Sequence, residues 1–526
     1  MNICMIVHNS ATRDGRVMRE AHSLRAAGNA VTIIGIPETK AADPIEEFPD
    51  GVTIRRIDWY PDARRRLLLS AFPRALLFLG LVGAFAYGGY RLANWLISGR
   101  GMREALLKPT ASAIFILAGM VLAIGVGAYA GRAAIRARKA RNDAVRRQII
   151  GEGGRHANIR FPAIRSRIPN WIPDALLEIA VEPLDWFGAK TGKFSMYRYR
   201  SEALAAAAIA LKPDIVHCHD CAALPTGWLV KKRLGIPLVY DAHEIYEAVA
   251  ARRFGATDYF ARIHRKHLPR IDGFIAVNDS AAIYYRQAYP EAPPAVVIRN
   301  ASDSAPDRAY GGELHAAAGL PLSEHILLYQ GGYTKDRGLD TLVRAAPLLP
   351  AGWSLVMMGS GPLAPELKKL AGVASADAHG KARFVPAVPP NELLNWTQGA
   401  TIGIVPYEDK MLNHWIATPN KLWEYPGAGV PMIVQPFPEM RRIVESYGCG
   451  WVLPKQFSAA AIANLVASLT DEAILQARAG CRRFTEEDNW RHSYQPRLLD
   501  LYTDLQRKFV RQNTQSDRLS PAGAII

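Results

Sequence analysis

The 526-residue sequence predicts an α/β protein of two doubly wound parallel-sheet domains facing a cleft, with a transmembrane helical hairpin inserted in the first. Three observations predict it. Strand-like and helix-like segments alternate along most of the chain, the pattern of parallel sheets covered by helices. The alternation restarts near Asn300–Gly312, giving two series. Residues 110–130 (TASAIFILAGMVLAIGVGAYA) are 21 residues without a charge. At a rise of ~1.5 Å per residue they span ~31 Å, the thickness of a bilayer core.

In the first series Asn2–His8, Ala30–Ile36 and Val52–Ile57 read as strands, with an amphipathic helix at Val17–Ala27. Ser201–Leu211 and Ala222–Leu234 read as helices. Ile215–His217, Pro237–Tyr240, Gly273–Val277 and Ala295–Ile298 read as strands. In the second series the strands are Ile326–Gln330, Ser354–Met358, Arg383–Val385, Thr401–Val405 and Pro431–Gln435. The helices are Leu339–Pro347, Ala364–Ala371, Asn420–Ala428 and Ala459–Leu469. The implied domains are 1–60 with 196–300, and 301–488. A final helix at 489–512 is long enough to cross back onto the first domain, and 513–526 reads as a flexible tail.

The insertion, 61–195, holds two hydrophobic segments, about 67–97 and 110–130, and a basic juxtamembrane arm. Between Pro61 and Ile168 lie 19 basic and 4 acidic residues, so nearly all of the chain's net charge of +16 sits there. A charge excess confined to one segment argues for an anionic membrane and against a nucleic-acid surface. Arg64-Arg65-Arg66 precedes the first segment, and Arg132 to Arg147 follows the second with seven basic residues. The positive-inside rule puts both flanks in the cytoplasm and the short loop outside. The expected location is a bacterial-type inner (cytoplasmic) membrane with the catalytic domains cytoplasmic. Met1–His8 lacks a basic leader and does not read as a signal peptide. Five scattered cysteines fit a reducing compartment. Cys218-x-x-Cys221 beside His217 and His219 reads as the end of a buried strand, because a zinc site would need a second pair.

The chemistry is carried by an ordered set of motifs. They are His217-Cys-His-Asp220 with Ala223-Leu-Pro-Thr-Gly227, Leu238-Val-Tyr-Asp-Ala-His-Glu-Ile-Tyr246, and Val297-Ile-Arg-Asn300. Then come Tyr329-Gln-Gly-Gly-Tyr-Thr-Lys-Asp-Arg-Gly338, Met358-Gly-Ser-Gly-Pro362, and Pro419-Asn-Lys-Leu-Trp-Glu-Tyr425 followed by Gly427-Ala-Gly429. In this order and spacing the chain resembles a GT-B glycosyltransferase of glycosyltransferase family 4, over 1–60 and about 195–500. The two domains are then Rossmann-like, and the insertion departs from the family pattern.

The resemblance implies transfer from a UDP- or GDP-linked nucleotide-sugar, retaining and without a metal or other cofactor. There is no Asp-x-Asp to hold a metal, so cations and helix N-termini must stabilise the departing diphosphate. On the donor side it implies Gly332 in a Gly331-Gly332 turn that opens a helix, Arg337 in the place of a phosphate-binding lysine, and Lys421 as a second cation. Glu424, after Pro419 and Asn420, would accept the ribose hydroxyls. Gly359 and Gly361 would let backbone approach the nucleotide, and Val385 with Pro386 would contact the base.

In the first domain His243 would face the donor sugar, a neutral imidazole hydrogen-bonding a hydroxyl or orienting the leaving group. His219 and Asp220 would line the same cleft. The loop Arg13-Asp14-Gly15-Arg16 would help hold diphosphate or acceptor. Two positions depart from the pattern: Gly332 stands where many members have Arg, and Ile416 where many have the first Glu of a Glu-x7-Glu pair. His414, Thr418 and Lys410 are the candidate substitutes.

The membrane hairpin favours a lipid-linked sugar acceptor, as in exopolysaccharide or O-antigen assembly. Three other readings stay open: a glycolipid synthase with a diacylglycerol acceptor, a nucleotide-sugar epimerase on the same fold, and a non-catalytic sugar-binding scaffold.

Overall fold

The computed structural model describes residues 1–12, 14–38, 43–58, 193–249, 256–303, 305–374 and 382–519. The hydrophobic segments 67–97 and 110–130 and the basic arm lie outside the described residues. Among the described residues no helix is long and apolar enough to cross a membrane.

Fourteen strands form two sheets among the described residues. The first comprises β1 (Asn2–Ile6), β2 (Ala30–Gly35), β3 (Ile45–Glu47), β4 (Thr53–Arg56), β5 (Ile215–His219), β6 (Leu238–Ala242), β7 (Gly273–Ala276) and β8 (Val296–Val297). Its order is β3-β4-β2-β1-β5-β6-β7-β8. The second comprises β9 (His325–Gln330), β10 (Trp353–Met358), β11 (Ala382–Val385), β12 (Ile402–Val405), β13 (Met432–Val434) and β14 (Gly450–Val452), ordered β11-β10-β9-β12-β13-β14. The pairs from β1 through β5, β6 and β7 to β8 are parallel, as are all five pairs of the second sheet. These are two parallel-sheet, Rossmann-like α/β domains.

The strands form where the sequence runs apolar without alternation, as strands covered on both faces must. Every residue of β5, β6, β7, β10, β12 and β13 is buried. The second core gathers Leu327, Tyr329, Leu342, Leu355, Met357, Ile404 and Ile433. Each sheet reverses its winding once, between β1 and β5 and between β9 and β12. Loops at the carboxyl ends of such strands are where ligands bind in this architecture.

The chain divides into two compact units. The larger, 1–33, 46–54 and 212–526, carries both switch points. The smaller, 34–45 and 55–211, is described over 34–38, 43–45, 55–58 and 193–211. Its helix Lys193–Ala210 buries Leu204, Ala205 and Ala208.

Three differences from the sequence reading matter. Helices at Ala256–His267, Asp279–Ala288, Pro438–Tyr447 and Asp471–Glu487 were not foreseen, nor were β3 and β14. The Gly331-Gly332 turn does not itself open a helix: the one at Leu339–Ala345 starts where the sequence placed it, with Gly338 (φ 65°) as its N-cap. The last helix, Gln495–Leu519, runs into the stretch read as a tail. It reaches the first sheet: Tyr502 bonds His217 Nδ1 at 2.9 Å, and Arg497 donates to the Val297 carbonyl at 3.1 Å.

Candidate active site

His219 closes β5, Asp220 follows it in the left-handed region (φ 70°), and His243 follows β6. Parallel pairing puts these strand ends side by side. His219 Nδ1 lies 3.3 Å from His243 Nε2. His243 is held at both nitrogens, Nδ1 against Asp220 Oδ1 at 3.1 Å and Nε2 against Asp241 Oδ2 at 2.9 Å. Tyr246 donates its hydroxyl to Asp220. Burial opposes charge on His243, but the two carboxylates outweigh it and raise the imidazole to about 10. Carboxylates at both nitrogens favour the charged ring over the neutral imidazole expected from the sequence, and the side chain stays 16% exposed.

Asp14 ends the loop after β1, and Arg16, read from the sequence as part of that loop, is the second residue of the helix it caps. Asp14 caps the helix Gly15–Ala26, accepting from Val17 N at 3.3 Å, and takes Asn9 Nδ2 at 3.0 Å. Gly15 starts that helix, and a Cβ there would meet only the Arg19 guanidinium, at 3.9 Å. Arg16 is buried and fully committed: Nε and Nη2 donate to Asp241 at 2.6 and 2.8 Å, and Nη1 to the Ile298 carbonyl at 2.8 Å. A guanidinium so engaged positions Asp241 rather than offering its charge to a diphosphate. Arg13 lies outside the described residues.

Behind this pair lie Glu20 and His217, both fully buried. Ligand-type atoms of Glu20, His217, His219 and Asp241 lie within 4.8 Å of one another. Asp241 already gives both oxygens to Arg16, so a dication here would compete with a guanidinium for them. The donor set suits a proton better. Neither Glu20 oxygen accepts a hydrogen bond, and burial, with Asp241 nearby, raises its carboxyl to about 7. The thiols of Cys218 and Cys221 point to different carbonyls, Ala223 and Phe260. Cys218 packs against Gly227, where a Cβ would lie 2.2 Å from its sulfur.

In the second domain the switch point carries two cations. Arg337 sits between Asp336 (φ 63°) and Gly338 (φ 65°). Its guanidinium lies over Tyr407, 4.4 Å from the ring centre. Gly338 has no room for a side chain, since a Cβ would stand 2.2 Å from the Pro406 carbonyl. Lys421 opens the helix Lys421–Gly427 and is buried, its ammonium 5.1 Å from the Tyr329 ring centre. Burial, with Arg337 nearby, lowers it to about 8. Among the described residues neither cation forms a close ion pair, though Glu424 acts on Lys421 and Glu244 on Arg337 at longer range.

Glu424, one turn on, is half-buried; its Oε2 accepts from Gln330 Nε2 at 2.8 Å. Gln330 is fixed in turn by Thr397 at 2.8 Å. Asn420 Oδ1 accepts from Asn300 Nδ2 at 2.6 Å, and the Pro419 carbonyl accepts from Leu422 N at 3.0 Å.

Gly359 (φ 157°) and Gly361 (φ 155°) permit a close approach, but of protein to protein. Cβ atoms there would meet the Gly331 carbonyl at 2.0 Å and the Tyr333 backbone at 2.6 Å. Val385 is buried and its carbonyl accepts from Gly359 N at 2.9 Å. Gly332 is exposed, and a Cβ would meet only Thr334, at 3.9 Å. Ile416 is buried. Of its candidate substitutes, Thr418 takes the Asn278 amide at 3.2 Å, His414 faces the Glu408 carbonyl at 3.3 Å, and Lys410 is exposed. Sequence reasoning missed Gln330, Asn413 and the role of Asp241. The last had a signal: it precedes His243 by two residues, same-face spacing in a strand.

Residues 168–305 match the model for Glycosyltransferase Family 4, and 324–472 that for Glycosyl transferases group 1. The D-inositol 3-phosphate glycosyltransferase of Thermomonospora curvata is 28% identical over 319 residues, 55% of this chain and 71% of its own length. D-inositol 3-phosphate glycosyltransferase 2 of Catenulispora acidiphila is 30% identical over 215 residues, 37% of this chain. The chain spans 49% of that relative's length. The sucrose-phosphate synthase of Thermosynechococcus elongatus shares the fold, with a TM-score of 0.60 at 14% identity, covering 97% of this chain and 100% of that one.

Proposed function

We propose that this chain, a GT4-like glycosyltransferase of the GT-B fold, moves a sugar from a UDP- or GDP-linked donor to a lipid-linked acceptor at the cytoplasmic membrane. The observation that carries the donor reading is the pair Arg337 and Lys421, two neighbouring cations at the second switch point with no close ion pair among the described residues. Their charge suits a departing diphosphate. Glu424, pre-set by Gln330, suits the ribose hydroxyls. His243, held between Asp220 and Asp241, keeps a fixed ring orientation at the end of β6, suited to a hydroxyl of the donor sugar. Such a site needs no metal, and transfer proceeds with retention, as the family resemblance implies. Donor binding falls to the domain built on β9–β14, 301–488, and acceptor binding to that of 1–60 and 196–300.

The acceptor reading rests on the charge-free run at 110–130 and the +15 net charge of Pro61–Ile168. An anchored enzyme meets a membrane-bound acceptor at raised local concentration. Membranes holding the chain, incubated with labelled UDP- and GDP-sugars, are expected to yield one labelled polyprenyl-diphosphate-linked lipid. Label on diacylglycerol would favour a glycolipid synthase, and label on soluble D-inositol 3-phosphate, the acceptor in its relatives' names, would end the lipid reading. Conversion of the donor alone would indicate an epimerase.

A further inference from the structure

Glu244 follows His243 directly, yet none of the roles above uses it. Its side chain is exposed, and Oε2 accepts from Asn413 Nδ2 at 2.8 Å. Asn413 Oδ1 accepts in turn from Ile245 N at 2.9 Å. Asn413 belongs to the short helix Leu412–Trp415 after β12. One amide from the second sheet's domain thus holds both side chain and backbone at the end of β6. Oε1 has no partner among the described residues. The charges acting on this carboxylate are Asp220 and His243 on its own side and Arg337 opposite. It therefore lies within electrostatic reach of both His243 and Arg337, the residues read above as facing the donor sugar and its phosphates. A fixed carboxylate with an open oxygen is a strong acceptor for hydroxyl groups. Ile416 is apolar and buried and offers no such contact.

We propose that Glu244, oriented by Asn413, accepts hydrogen bonds from the donor's sugar hydroxyls and sets which sugar is taken. The proposal rests on the nucleotide-sugar reading above. The test titrates the full chain in detergent with UDP, GDP and their glucose and mannose conjugates. Glu244→Ala should weaken the preferred nucleotide-sugar about tenfold, the value of a hydrogen bond to a charged group, while leaving the free nucleoside diphosphate unchanged. Glu244→Gln, close in shape, should lose part of that selectivity, and Asn413→Ala should shift it in the same direction by less. Equal weakening of conjugate and nucleoside diphosphate, or no weakening in the Gln and Ala variants, overturns the proposal. If the unaltered chain binds none of the probes, the nucleotide-sugar reading itself fails, and the proposal falls with it.

Discussion

Lys421 is buried beside a second cation and stands at about 8. A bound diphosphate stabilises its charged form, so binding above that pH must take up a proton. Affinity for UDP or GDP is expected to fall as pH rises through 8, by calorimetry. Lys421→Met should lower the affinity and abolish the pH dependence. An affinity flat across that range would place the ammonium away from the anion.

Gly332 gives the opposite kind of prediction. The position is open and its φ is not left-handed. Gly332→Arg should fold like the parent and bind nucleoside diphosphate up to about tenfold more tightly through a third cation.

Two groups in the His243 cluster tie stability to pH. His243 is raised from 6.5 to about 10, so its contribution is complete below 6.5 and lost as pH rises through 10. Glu20 is raised from 4.5 to about 7, so ionising it costs stability over that interval. Lys421, lowered to about 8, acts with the opposite sign above that pH, so the variant isolates the histidine: from pH 6.5 to 10 the melting temperature of the parent should drop relative to that of His243→Gln. Parallel curves for the two would contradict a charged His243. The residues of this cluster were legible in the sequence, because strand ends carrying His and Asp stand out. Its charge state was not, since Arg16 and Asp241 meet from 225 residues apart. For the same reason Gln330 showed no link to Glu424.

At the scale of elements, long apolar runs gave the central strands away. The misses were short or polar: β14 has three half-exposed residues, and β3 carries two glutamates. The Gly331-Gly332 turn does not open the next helix; Gly338 does, and it makes the tight approach, to the Pro406 carbonyl. Gly359 does the same between the loops after β9 and β10. Gly359→Ala puts a Cβ 2.0 Å from a carbonyl oxygen and forces the 331–333 loop to move. The expected loss is about 1–3 kcal/mol of stability by denaturant titration, together with weaker nucleoside diphosphate binding. An unaltered midpoint would show that the loops give way freely.

At the scale of the molecule, the two domains meet through Asn278, whose amide donates to the Ile416 carbonyl at 2.8 Å, and through Ser280, whose hydroxyl donates to Glu439 at 2.7 Å. Arg299 is buried among Asp279, Glu439 and Asp488, at 2.5, 3.6 and 3.0 Å. The membrane-hairpin expectation rests on sequence, and fractionation tests it. The chain should stay in the pellet through an alkaline carbonate wash, whereas release by salt alone would reduce the insertion to a surface-bound basic arm.

The claim that joins these scales is that the paired cations and the clamped His243 transfer a sugar without a metal ion. The most direct measurement is the initial rate of sugar transfer from a labelled nucleotide-sugar by native membranes in excess EDTA, set against His243→Ala and Lys421→Met. The account predicts an undiminished native rate, with each variant slower by about 10²–10³, the usual cost of removing one charge-stabilising group. Transfer that stops in EDTA, or variants that match the native rate, would contradict it.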